Sequence, residues 1–239
     1  MRSPKKIFLL GMVLLLTGCS DFFMICSLSP FYLEKNIRLK QEIVGSWSAS
    51  PLKMKAIPDK DESPEVWNQM DTSAVWKIDR VINQETIKAK DGGDSTVYRP
   101  QDYYRVKLLD NFSDSTLYQF KMVLFVVREG IYADFMPIES TGLEKSRFAA
   151  ESYFKIHTLA RIFLIDGQFR ISWLGAEQMK EMIEEKRVRV NYRWVSQAKR
   201  LLLTGSSEQL TGMIERYADQ SRFIDWERQP AMLKLNRIN

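Results

Sequence analysis

The sequence predicts an α+β fold: a curved antiparallel sheet or incomplete barrel, with an N-terminal helix and two C-terminal helices. Three observations lead there. In several runs between residues 76 and 173, among them Tyr104-Val106-Leu108, Tyr118 to Val126 and Phe169-Ile171-Trp173, apolar side chains recur at every second position, the period of a strand with one buried face. Turn residues separate these runs, among them Asp91-Gly92-Gly93-Asp94 and Asp166-Gly167. Two later stretches, Met179, Met182, Ile183, Lys186 and then Leu210, Met213, Ile214, Tyr217, switch to helical spacing.

The chain opens on Arg2, Lys5 and Lys6, followed by an apolar run over residues 7–16 broken only by Gly11, then Thr17, Gly18 and Cys19. Basic, apolar and small segments in that order form a secretory signal peptide. The apolar run is about half the ~20 residues a spanning helix needs. Leu16-Thr17-Gly18-Cys19 resembles the lipobox of bacterial lipoproteins. The resemblance implies cleavage before Cys19 and acylation of that residue. The rival is an uncleaved span over residues 7–26, long enough but carrying Asp21, which costs up to ~3 kcal/mol within a span. The chain thus divides into a signal peptide (1–18), a lipid-anchored tether (19–29) and a single α+β domain (30–239). Phe22, Phe23 and Ile25 give the tether an apolar character suited either to the lipid interface or to packing on the domain.

Ser29-Pro30 reads as a helix start, with Ser as N-cap and Pro in the first turn, and Leu33, Ile37 and Val44 mark one face before Gly45 ends it. Gly45-x-Trp47 resembles the opening of lipocalin-like barrels, which implies that Trp47 closes the base of a barrel. Residues 51–72, rich in Pro and charge, form a loop. Trp76, Ile78, Arg80 and Ile82 begin the strands; Asn83-Gln84 suggests a turn into a second strand over residues 86–90. Tyr104, Val106 and Leu108 follow, then a turn over residues 110–115. Tyr118 to Val126 make a long strand, half exposed at one end and covered at the other. Arg128-Glu129-Gly130 turns into residues 131–136. Phe154, Ile156, Ala160, Ile162 and Leu164 share a face, and Asp166-Gly167 returns the chain to Phe169, Ile171 and Trp173 as a type I′ hairpin. After the first helix, Val188, Val190, Tyr192 and Trp194 alternate with Arg187, Arg189, Asn191 and Arg193, a strand with one basic face. Leu201-Leu202-Leu203 is a short buried strand. Ser206 and Gln209 form a capping box for the last helix.

Several of these features together resemble a loosely defined group of uncharacterised bacterial lipoproteins. They are the lipobox, Gly45-x-Trp47, the strand from Gly130 to Pro137, the hairpin containing Ile156-His157-Thr158, and the stretch from Leu202 to Ile214. The resemblance implies a secreted, lipid-anchored, β-rich domain and carries no activity or catalytic residue with it. Ser20 follows Cys19 where an Asp would retain some bacterial lipoproteins in the inner membrane, so the expected location is the cell envelope, at the outer membrane.

Bulk numbers narrow the function classes. The chain carries 35 basic and 30 acidic residues, and without Arg2, Lys5 and Lys6 the balance is 32 to 30, which demands no nucleic-acid partner. Two Cys and one His exclude a zinc site built from those residues, and no glycine-rich phosphate loop or EF-hand spacing is present, so no metal or cofactor is expected. If Cys19 carries lipid, Cys26 is the free thiol. His157, the one histidine, alternates with charged residues and is expected on the polar side of the sheet as a structural group. Asp134 alternates with Phe135 and is expected to face water. Arg187, Arg189, Arg193, Lys199 and Arg200 could meet phosphates, but a solvated outer face is the simpler reading. No catalytic residues follow, no ligand-binding residues can be named, and an enzyme has least support. The expected function is a lipid-anchored module binding an apolar or amphipathic small molecule; the alternative is docking to another envelope protein. A cavity open to solvent would favour the first, a filled barrel with an exposed apolar patch the second.

Overall fold

The computed structural model describes residues 24–51, 74–88, 94–110, 115–138, 156–165, 168–195, 200–221, 223–229 and 231–238. Cys19, the expected 51–72 loop after residue 51, Gly92-Gly93, Phe154, the Asp166-Gly167 turn and Lys199 lie outside them. In chain order the elements are β1 (Cys26–Ser27), β2 (Gly45–Pro51), β3 (Val75–Lys88), β4 (Asp94–Leu109), β5 (Thr116–Val127), β6 (Gly130–Pro137), β7 (His157–Ile165), β8 (Gln168–Trp173), α1 (Ala176–Glu184), β9 (Tyr192–Val195), β10 (Arg200–Leu203), α2 (Ser207–Tyr217) and β11 (Ala231–Arg237).

Strands β2 to β8 follow one another as an antiparallel meander, and β11 pairs with both β8 and β2 to close it. The expected incomplete barrel is therefore a closed eight-stranded one. The completing strand is β11, which turns Leu233 and Leu235 inward, opposite Ile171 and Phe169 of β8. The expected helices α1 and α2 are present, but they lie inside the β8–β11 connection, and the described chain ends on a strand.

Alternation explains the barrel wall. Trp76 stands opposite Leu108 and Ile78 opposite Val106, facing in, while Lys77, Lys107, Arg105 and Lys121 face out. An eight-stranded bore is just wide enough for side chains to fill or for one small ligand. Here rings meet across it: Trp76 and Trp173 at 6.2 Å, Trp47 and Phe169 at 5.7 Å, Phe135 and Trp173 at 5.5 Å between centroids. All five are at most 4% exposed. Trp47 sits at one end, its indole N–H donating to the Ile43 carbonyl at 2.9 Å, with the Arg237 guanidinium over its ring. Gly45, at φ 140°, makes the entry to β2 in a conformation side chains rarely adopt.

A second core lies outside the barrel. Phe125, Val127, Tyr132 and Leu159 point away from the bore and are buried under α1, α2, β10 and Trp226. The apolar stripes of both helices supply Met179, Met182, Leu210, Met213 and Ile214. The capping box is formed in both directions, Gln209 N–H to Ser206 Oγ and Ser206 N–H to Gln209 Oε1. β1 pairs with β7 on one side and, parallel, with β10 on the other, and Ile25 is fully buried, so the apolar residue at 25 packs on the domain. No helix among the described residues is long and apolar enough to cross a membrane.

The expected N-terminal helix is absent. Residues 28–44 form an extended strap with two single 3-10 turns, Glu34–Asn36 and Gln41–Ile43. Tertiary hydrogen bonds outcompete the local helix signal at Ser29-Pro30. Phe31 N–H donates to Asp134 Oδ2 at 2.9 Å, Arg38 N–H to the Leu124 carbonyl at 3.0 Å, and Ile37 bridges Phe125. Ile43 then enters the barrel core.

Candidate functional site

The strap creates the most unusual feature of the molecule. By lying along β5 at Leu124 and Phe125, it occupies the edge that β4 would otherwise continue to use. β4 pairs with β5 only from Tyr104 to Leu109, and β3 pairs with β2 only from Val75 to Ile78. Past Arg80 and Tyr104, residues 82–88 and 94–100 have only each other as ladder partners among the described residues. At ~3.3 Å per residue, this two-stranded ribbon extends roughly 25 Å past the barrel. The expected turn at Asn83-Gln84 is instead continuous strand, paired with Arg99 and Tyr98, with a register shift between Arg80 and Ile82. Pro100, opposite Ile82, cannot donate to a further strand, and Ile82 is 57% exposed.

Tyr104 marks the branch point. Its hydroxyl donates to the Lys40 carbonyl at 3.1 Å and accepts from Lys40 N–H at 2.6 Å, pinning the strap where β4 leaves the wall. Burial raises its pKa above the usual tyrosine value.

Asp134 and His157 are brought together: the expectation that Asp134 faces water is corrected, and His157, expected on the polar side of the sheet as a structural group, is hydrogen-bonded there but buried. Asp134 is 2% exposed and His157 9%. They sit diagonally on β6 and β7, with His157 Nδ1 2.7 Å from Asp134 Oδ1. Alternation does turn them away from the bore; the strap then covers them, with Asp134 Oδ2 accepting from Phe31 N–H and Thr211 Oγ1 donating to the Phe31 carbonyl. Ser27 stands opposite His157 in register, but its hydroxyl donates to the Leu203 carbonyl at 3.4 Å and accepts from Ser29 N–H. The pair can orient an imidazole, yet its place beneath the strap makes it a clasp that fastens the N-terminal segment to the barrel. Burial, with the Asp134 and Glu34 charges adding, pushes the neighbouring Tyr32 hydroxyl up to about 12. A second clasp holds α2: Tyr132 donates to Asp219 Oδ1 at 2.9 Å, and Arg161 pairs with the same carboxylate at 3.3 Å.

The expected basic strand over residues 188–194 is shortened to β9. Val188 turns into the outer core at 3% exposure and pulls the chain off the strand path before Tyr192. Arg187 pairs with Glu185, Arg189 precedes the strand, and Arg193 alone of the three lies on it. β9 is exposed along its whole length, including Tyr192 at 46% and Trp194 at 48%, and pairs with β10 alone among the described residues. Between β9, β10 and α1 runs a groove of about 350 Å³ lined by Lys180, Ile183, Glu184, Tyr192, Trp194 and Leu201. The Lys180 ammonium lies 5.4 Å over the Trp194 ring.

Among the described residues no group of three or more His, Cys, Asp and Glu side chains converges, and Cys26 is a buried thiol. The ribbon and the groove are the surfaces not anticipated from sequence; an unbroken strand-like pattern on both sides of residues 89–93, with Pro100 within it, is the signal for the first. No family model, curated protein or solved structure matches this chain.

Proposed function

We propose that the chain is a lipid-anchored protein of the bacterial envelope, attached through Cys19, that acts by docking to an envelope protein through the β3–β4 ribbon. The observation that carries this reading is the ribbon itself. An isolated two-stranded hairpin is marginal in water, and its free backbone edges are templates for another strand. A filled bore supports docking over carriage of a ligand inside the barrel. The test is a variant in which residues 82–101 are replaced by a short Asn-Gly turn. Docking predicts an unchanged barrel melting temperature and loss of complementation in a deletion strain; full complementation at equal protein level would contradict it.

The alternative is a lipocalin-like carrier of an apolar or amphipathic small molecule. Its support is Trp47 at the closed end of an eight-stranded meander, behind Gly45. Native mass spectrometry of protein extracted from its own membrane separates the two, because a carrier retains a discrete ligand mass.

A further inference from the structure

The groove beside β9 lies close to the start of the described chain. Met24 bridges Gly175, the residue before α1, and two residues later β1 joins β10, which joins β9. Two strand spacings are ~10 Å. Cys19 precedes Met24 by five residues, a reach of at most ~18 Å even fully extended. An acyl chain on Cys19 therefore holds this side of the molecule within a short distance of the bilayer.

We propose that the β9 edge rests on the headgroup layer of an anionic phospholipid membrane, as a second, non-covalent contact beside the lipid anchor. The proposal rests on acylation at Cys19. Tyr192 and Trp194, half exposed, combine an apolar ring with a polar tip, the chemistry that settles at headgroup depth. Leu28, 52% exposed, lies on the same side, its N–H bonded to the Leu203 carbonyl of β10. Exposed Arg189 and Arg193, with Lys180 at the groove, meet phosphates. Exposed Glu181, Glu184 and Glu185 on and after α1 oppose them, so the edge alone binds weakly. The anchor supplies the missing affinity through effective concentration. The orientation that follows is specific. The ribbon departs past Gly45 and Ile78, whereas β1 meets β7 at His157 and Thr158, the opposite end of the barrel. With β9 on the membrane, the ribbon reaches away from it.

The test uses the mature protein, beginning at Cys19, purified from its native membrane and reconstituted in phosphatidylglycerol–phosphatidylethanolamine vesicles whose acyl chains carry bromine just below the headgroups. Bromine quenches tryptophan at that depth. Trp47, Trp76, Trp173 and Trp226 are buried, and the remaining one, Trp67, is replaced by Phe in every protein compared, so the difference made by Trp194→Phe reports Trp194. The proposal predicts that Trp194→Phe removes most of the quenching at an unchanged melting temperature, and that quenching is weaker in phosphatidylcholine. Acylated, vesicle-bound protein whose quenching is the same with and without Trp194 overturns the proposal and leaves the anchor standing. Protein without acyl mass on Cys19 overturns both.

Discussion

The barrel half and the ribbon half of β3 are one strand in two environments. Ile78 and Ile82 are four residues apart. Ile78 is fully buried in the bore between β2 and β4, whereas Ile82, past the point where β2 ends, is 57% exposed. Ladder hydrogen bonds continue through both halves, so they do not distinguish them. What differs is the surroundings: the barrel half has strands on both sides and a core beneath, and past Val81, the last buried residue before Ile82, the ribbon half has one ladder partner among the described residues. The strap draws the boundary by taking the β5 edge and fixing Tyr104. Stability belongs to the first half, and the second is the part proposed to dock a partner.

That contrast can be broken by substitution. The largest effect is expected from Trp76→Ala, about 3–5 kcal/mol of stability lost in denaturant titration, with Ile78→Ala close behind at about 2–5 kcal/mol. Asp134→Ala removes the acceptor for Phe31 N–H and the partner of His157, and should lower stability by about 2–3 kcal/mol while strap amides near residues 31–38 exchange faster. His157→Gln should also destabilise, since its partner is buried; a wild-type melting temperature for both variants would dissolve the clasp. Gly130→Ala is next. A Cβ there would stand 2.5 Å from the Tyr132 ring, which Asp219 holds, so overpacking should cost about 1–3 kcal/mol. The smallest effect is that of Ile82→Ala, within about 0.5 kcal/mol of wild type. A cost comparable to Ile78→Ala would mean that the ribbon is packed and the comparison is false.

The pH dependence sharpens the strap's part. The Tyr32 pKa is raised on folding to about 12 by burial. A group whose folded pKa is raised stabilises fully below its unfolded value, near 10 for tyrosine, and loses that contribution as pH climbs toward the folded value. Stability should therefore fall between about pH 10 and 12, and Tyr32→Phe should flatten that slope in alkaline unfolding.

The sequence made the barrel legible wherever a local rule ruled. Period-2 runs located β5 to β8, Ser206 and Gln209 closed their capping box, and Trp47 fell at the end of the barrel. Leu233 and Leu235 alternating with Lys234 and Asn236 carry the same signal for β11, the strand that separates a closed barrel from an open sheet. The strap was not legible. Ser29-Pro30 is a sound helix start, and it loses to hydrogen bonds with Asp134 and Leu124, about 100 and 90 residues away in the chain. For the same reason Asp134 reads as exposed and the burial of His157 goes unseen: alternation places both outside the bore, and only a distant segment covers them. The ribbon is illegible because nothing local tells a strand that it has lost its neighbours.

The most direct test of docking through the ribbon is photo-crosslinking in living cells, with a photoactivatable phenylalanine replacing either Ile82 on the ribbon or Lys77 on the outer barrel wall, two exposed positions on the same strand. The account predicts a discrete protein adduct from position 82, none from position 77, and loss of the adduct when residues 84–99 are shortened to a turn. The same adducts from both positions, or no adduct from position 82 in cells where the protein is functional, would contradict it.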